Sequence, residues 1–306
     1  MEPIPIIAGP TASGKSALAL VLAEALGGTI INADSMQVYR DLRVVTARPT
    51  ETDLARAPHR LYGVIDGAEL CSAAHWAALA RAEIAAIRAE GRLPILVGGT
   101  GLYLRTLLHG IAEIPPIPEA IRAAARARHA AIGGVAFRAE LAGLDPAGAA
   151  RLAPGDSQRL MRAYEVVTAT GRPIGAWQRD AAPGEALSHR AFVLLPPREV
   201  LNAAIDARFI AMAGNGALDE VAALLERRLD PALPVMKAVG VPELAAHIRG
   251  ETTLDAAIEA AQTASRRYAK RQMTWFRHQM PGAQLWHEQF SNKIGAEICQ
   301  IVRETR

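Results

Sequence analysis

The chain has 306 residues, half of them hydrophobic, with two cysteines and a net charge of +3, enough apolar material for a sizeable core and too even a charge to mark nucleic-acid binding by itself. No apolar run reaches the roughly 18 residues that span a bilayer, and no charged leader precedes the first apolar run, so a cytoplasmic protein is expected. Cys71 and Cys299 match no zinc spacing, and His59 and His75 add no third ligand at a usual distance, which argues against a zinc site and a disulfide.

The first predicted element is a strand at 3–8, PIPIIA, followed by GPTASGKS. Gly9, Pro10, Thr11, Ala12, Ser13, Gly14, Lys15 and Ser16 fit the phosphate-loop spacing between a hydrophobic strand and an amphipathic helix. Gly9 and Gly14 let the backbone turn its N–H groups and the next helix's N-terminus toward an anion. Lys15 adds an ammonium in a chain whose other basic residues are nearly all arginine, and Ser16 is placed to offer a hydroxyl to Mg²⁺.

A second strand at 29–33 ends in ADSMQVYR. Asp34 is the first carboxylate able to face the loop across a crevice, as a proton acceptor or, alternatively, as a cap or structural hydrogen-bond acceptor. Gln37 carries an amide able to pair with adenine. Strands at 60–65 and 93–97 follow, with a helix at 72–90 between them. GGTGLY after LPILV places Thr100 at a helix start, as a cap or as a ligand contact, with glycines that allow close approach.

Short buried strands alternating with helices predict an α/β fold, a parallel sheet core like that of phosphate-loop NTPases, with ligands at the strands' C-terminal ends. A change to Ala- and Arg-rich helices predicts a helical insertion at 114–188 within a core of 1–113 and 189–306. After a strand at 191–195, helices open behind Pro196–Pro197 and over LDEVAALLERRL, and the last long helix runs from about 254 to 278.

From Ala260 to His287 there is no acidic residue, while Arg266, Arg267, Lys270, Arg271 and Arg277 alternate with Tyr268, Trp275 and Phe276. Positions 267, 270, 271 and 274 share one helical face, and 268, 272, 275 and 276 lie toward another. One face suits phosphates or solvent; the aromatic side packs.

GPTASGKS, ADSMQVYR, TARPT, PHRLYG, VGGTGLYL, QRLMRAYEV and RRYAKRQMTWFR occur in the order found in bacterial tRNA dimethylallyltransferases, and the chain resembles that family over nearly its whole length. The resemblance implies Mg²⁺-dependent transfer of dimethylallyl from its diphosphate to N6 of the adenosine 3′ to the anticodon, with the eight loop residues holding the diphosphate. It assigns Asp34, Thr100, Lys15 and Arg208 to catalysis, and Ser35, Met36 and Gln37 to the base. It maps further tRNA contacts, to an anticodon stem-loop, onto Arg122, onto Gln158, Arg159, Leu160, Met161 and Arg162, and onto Lys237, Gly240, Arg266, Arg267, Lys270 and Arg271. A monomer is expected.

Three departures stand out: Arg48 replaces the family's lysine, Val241–Pro242 replaces a tyrosine and a basic residue, and RAYEV replaces RALEV. Pro242 puts RNA contact by 237–243 in question, since it lacks a backbone donor. A small-molecule kinase, an adenylate isopentenyltransferase and a non-catalytic RNA-binding protein remain as alternatives.

Overall fold

A computed structural model describes residues 2–181, 184 and 186–305. Its sheet contains β1 (Ile4–Ala8), β2 (Gly28–Asn32), β3 (His59–Arg60), β4 (Leu93–Gly98), β5 (His189–Leu194) and β6 (Gln284–Trp286). The order is β3-β2-β4-β1-β5-β6, and every pairing is parallel. β1, β2 and β4 are buried throughout, because helices cover both sides and leave no place for alternating polar residues.

Helices Lys15–Leu26 and Asn292–Glu304 share one of the two hydrophobic clusters of this core. The other contains Trp76, Leu104, Phe209 and Phe276, from helices Ala73–Ala89, Gly101–His109, Arg198–Gly214 and Leu254–Gln279. The β1–β4 and β1–β5 neighbours leave β1 central, so the loop after it opens at the C-terminal edge of the sheet, where ligands collect in such folds.

Three elements differ from expectation. The strand predicted at 60–65 stops after Arg60, because Leu61 and Gly63 adopt positive φ angles of 63° and 62°; Ile65 returns only as an isolated bridge to Tyr39. β6 and the helix Asn292–Glu304 were not anticipated, as QLW is too short for a periodicity signal.

The chain divides into two compact units, Met1–Leu108 with Ala186–Arg306, and His109–Glu185. These bounds differ by a few residues from the expected 114–188. Ser188 falls with the larger unit, where its carbonyl accepts the Ile4 N–H at 2.9 Å. The smaller unit consists of helices Glu119–Leu144, Pro146–Ala150, Ser157–Thr170 and Ile174–Arg179 around Phe137, Leu141, Leu160 and Val167. Tyr164 of RAYEV packs on Phe137 with ring centroids 5.0 Å apart, which makes that departure a packing change. Among the described residues no helix is long and apolar enough to cross a membrane.

Candidate active site

β1 ends at Ala8 and the next helix begins at Lys15, so residues 9–14 form the turn between them. Gly14 precedes the helix at φ +89° with no side-chain cap, leaving the first-turn N–H groups without intrahelical partners and open to an anion. A Cβ on Gly14 would lie 2.5 Å from the Phe290 Cβ. Phe290 and Gln289, whose amide donates to the Ala12 carbonyl at 3.5 Å, therefore bring the segment after β6 against the loop.

Lys15 Nζ donates to the Pro10 carbonyl at 3.2 Å. Burial lowers its pKa to about 8, opposed by the Asp34 carboxylate and assisted by the Arg208 guanidinium. Burial likewise lowers the Arg208 pKa, and Asp34 opposes it. Arg208 also donates to the Thr11 hydroxyl. Two desolvated cations and one carboxylate thus lie close enough to perturb one another, a pattern typical of reactive sites.

The buried Asn32 side chain builds the loop that carries Asp34. Its Nδ2 donates to the carbonyls of Asp34 and Leu61, both at 3.0 Å, and its Oδ1 accepts the Asp34 N–H at 2.9 Å. Asp34 Oδ1 accepts the Met36 N–H at 2.9 Å, a local turn that fixes the carboxylate. The described residues offer Oδ2 no hydrogen bond. Asp34 thus fills the structural role with one oxygen and presents the other to the cavities it lines.

Thr100 is not free to contact a ligand with its whole hydroxyl. Its Oγ1 accepts the Ser35 N–H at 2.9 Å and donates to Ser35 Oγ at 3.2 Å, and it also meets the hydroxyl of half-buried Tyr268. The glycines of GGTG admit protein rather than ligand. A Cβ on Gly98 would meet the Ala33 carbonyl oxygen at 2.1 Å, one on Gly99 the Gln272 amide at 2.2 Å, and one on Gly101 the Trp275 ring at 2.3 Å.

Several expected contacts are corrected. Both amide protons of Gln37 are held by the Thr46 and Ala47 carbonyls, at 2.8 and 3.0 Å, so the donor needed to pair with adenine is engaged in fixing the 46–47 loop. Gly240 is buried against Phe209 and Val45, and its N–H goes to Glu243 Oε2 at 2.9 Å, so it shapes the 237–243 segment and offers no free backbone donor to a ligand. Leu160 lies wholly inside the core of the smaller unit. Pro242 costs no helical donor, because it sits in the first turn of Val241–Ile248.

The remaining predicted contacts divide by exposure. Gln158, Arg159, Lys237, Arg267, Lys270 and Arg271 are exposed; Ser35, Met36, Arg122, Met161 and Arg162 are half-buried. Arg266 pairs with Asp206, which cancels much of its charge. Arg48, at the first departure, holds the Tyr39 and Arg40 carbonyls at 3.3 and 3.4 Å.

Two cavities adjoin at Thr11, Asp34, Thr46 and Arg208. One, about 350 Å³, holds the loop residues Lys15 and Ser16. The other, about 260 Å³, is lined by Met36, Phe209, Met212, Lys237, Tyr268 and Arg271. Tyr268 and Gln272 were legible only as inward positions of a basic helix; their partners lie over 150 residues away in sequence, and no local pattern announces them.

A parallel sheet, a phosphate loop with a desolvated lysine and arginine, and a carboxylate at the seam of two cavities define a phosphate-loop transferase. The family model described as IPP transferase matches residues 37–279. The chain belongs to the IPP transferase family. It is 58% identical over 284 residues to the tRNA dimethylallyltransferase of Rhodospirillum centenum, covering 92% of this chain and 90% of that one. With the Rhodospirillum rubrum protein of the same name the identity is 59% over 280 residues, 91% and 86% of the two chains.

Among solved structures, the full-length tRNA isopentenylpyrophosphate transferase of Bacillus halodurans superposes with a TM-score of 0.70 at 33% identity, covering 100% of this chain and 97% of that one. A eukaryotic dimethylallyltransferase acting on tRNA gives a TM-score of 0.78 at 26% identity, covering 94% and 74%.

Proposed function

We propose that this chain transfers the dimethylallyl group of dimethylallyl diphosphate to N6 of the adenosine 3′ to the anticodon of tRNA, releasing diphosphate. The observation that carries this reading is the position of Asp34 and Arg208 on the walls of both adjoining cavities, one a cationic anion cradle and the other a chamber of mixed lining in which Met36, Phe209 and Met212 stand beside Tyr268 and Arg271. The relatives' names, tRNA dimethylallyltransferase and a dimethylallyltransferase acting on tRNA, support the group moved and the class of acceptor.

The chemistry follows from charge. Breaking an allylic C–O bond gathers negative charge on the diphosphate, and Lys15, Arg208 and the first-turn N–H groups after Gly14 are preorganised to receive it. Each donor of this kind is worth roughly 3 kcal/mol of transition-state stabilisation. The adenine N6 lone pair is delocalised into the ring, so the amine needs a base: Asp34 accepts its proton as the N–C bond forms. The adenine must leave its stack to enter the second chamber. Thr100 acts indirectly, by holding Ser35 and hence the Asp34 loop.

Mg²⁺ fits the exposed Ser16 hydroxyl beside Lys15, in a cavity with room for phosphate oxygens and water. Among the described residues no group of three His, Cys, Asp or Glu side chains is arranged to bind a metal, so an ion at Ser16 would take its other ligands from the substrate's phosphates and water. When bound, it would neutralise charge on the leaving diphosphate. Exposed Gln158 and Arg159, with half-buried Arg162, belong to the smaller unit and Arg267, Lys270 and Arg271 to the larger; both sets are proposed to contact the stem-loop.

The test is an assay with an anticodon stem-loop, Mg²⁺ and either dimethylallyl diphosphate or ATP. N6-dimethylallyl adenosine is the expected product. Phosphoryl transfer from ATP would establish a kinase, and prenylation of AMP in place of RNA an adenylate isopentenyltransferase.

A further inference from the structure

Gln272 is one of few buried polar side chains, 5% exposed, and lies in the C-terminal third of the helix Leu254–Gln279. Its Oε1 accepts the Thr11 N–H at 2.9 Å, and its Nε2 donates to the Gly99 carbonyl at 2.9 Å. One amide thus ties the phosphate loop after β1 to the turn after β4. The turn is cut to receive it, since a Cβ on Gly99 would stand 2.2 Å from Nε2.

The residue type matters at both ends. A neutral fork with one acceptor and one donor is the property of an amide; a carboxylate cannot donate and an aliphatic chain does neither. Asparagine has the same group on a side chain one methylene shorter.

The bond to Thr11 has a second consequence. Thr11 is also the residue whose hydroxyl accepts from Arg208. Fixing the Thr11 backbone therefore fixes the acceptor that aims the guanidinium. The chain Gly99, Gln272, Thr11, Arg208 runs from the turn that carries Thr100 to a cation of the anion cradle. Arg267 and Arg271 project from an exposed side of the same helix.

We propose that Gln272 is a positioning residue for the group-transfer reaction: it sets Thr11, and through Thr11 the Arg208 guanidinium, in the geometry that receives the departing diphosphate. This rests on the transferase reading above. Gln272 touches neither reactant. Its loss leaves the Thr11 N–H and Gly99 carbonyl without their shared partner and lets Arg208 drift from the cradle.

The experiment measures Mg²⁺-pyrophosphate binding, stem-loop binding and single-turnover prenylation for the full chain and its Gln272→Leu and Gln272→Glu variants. Gln272→Leu is expected to weaken pyrophosphate binding about tenfold, the scale of one lost hydrogen bond and a strained partner, with a rate loss at least as large and RNA affinity within about twofold. In Gln272→Glu, the protonated carboxyl can both accept from Thr11 and donate to Gly99, whereas the ionised form cannot. Its rate relative to the parent should therefore rise as pH falls from about 8 to about 6.

A folded Gln272→Leu variant that keeps both pyrophosphate affinity and rate would overturn the proposal, as would equal losses of RNA and pyrophosphate binding. If that variant does not fold, a Gln272→Glu pH profile parallel to the parent's overturns it. Failure of the unmodified protein to bind pyrophosphate would instead remove the cradle reading on which the proposal rests.

Discussion

The Thr100 hydroxyl accepts the Ser35 N–H at 2.9 Å, across 65 residues of sequence. That bond joins the turn after β4 to the loop after β2, and so sets where the Asp34 carboxylate stands. Thr100→Val removes the acceptor while keeping the shape, and leaves a half-buried N–H unpaired at a cost of about 1–3 kcal/mol. Single-turnover prenylation should fall roughly ten- to hundredfold, with Thr100→Ser close to the parent rate.

The Lys15 ammonium titrates at about 8 in the folded protein, against 10.5 for an unperturbed lysine, chiefly because it is buried. Its folded value lies below its unfolded one, so the burial penalty is fully present below about 8 and is relieved as pH rises toward 10.5. Stability relative to a Lys15→Met variant should accordingly increase with pH across that window. Pyrophosphate affinity should move the opposite way, falling between about pH 7 and 9 as the charge is lost, while Lys15→Met binds weakly and with little pH dependence. Denaturant titrations and calorimetry across pH check both signs.

The cations of Leu254–Gln279 are not equivalent. Arg267 and Arg271 are exposed, whereas Arg266 is paired with Asp206. Removing both Arg267 and Arg271 by alanine should weaken stem-loop binding and reduce the slope of log affinity against log salt by about 1.5. Arg266→Ala should change that slope less. Binding titrations over a salt series distinguish the two.

Gly98 faces a neighbour that cannot move aside, the Ala33 backbone oxygen, 2.1 Å from where a Cβ would be. Gly98→Ala should lose at least about 2 kcal/mol of folding stability, since β2 and β4 must separate to admit the methyl group. Urea denaturation gives the value directly.

What the sequence disclosed and what it hid follow from the range of the interactions. The phosphate loop and the buried strands were legible because their patterns are local: glycines at fixed spacing, then an apolar run before and a helix after. Asp34 was placed by its position at a strand end. Gln37 misled, because its residue type suited adenine while its amide protons went to the Thr46 and Ala47 carbonyls. Leu160 and Gly240 fell within matching stretches, but a contiguous stretch of helix turns some side chains inward, and Leu160 is one of them. Gln272, Tyr268 and Phe290 were hidden for a different reason, as their roles exist only once residues distant in sequence are brought to one crevice.

The most direct measurement follows the bridging oxygen of dimethylallyl diphosphate labelled with ¹⁸O, using an anticodon stem-loop as acceptor. Cleavage between carbon and oxygen leaves all the label in the released diphosphate, with one N6-dimethylallyl adenosine formed for each diphosphate. Label retained on the dimethylallyl carbon, with phosphate joined to the acceptor, would contradict it and make the loop a phosphoryl-transfer site.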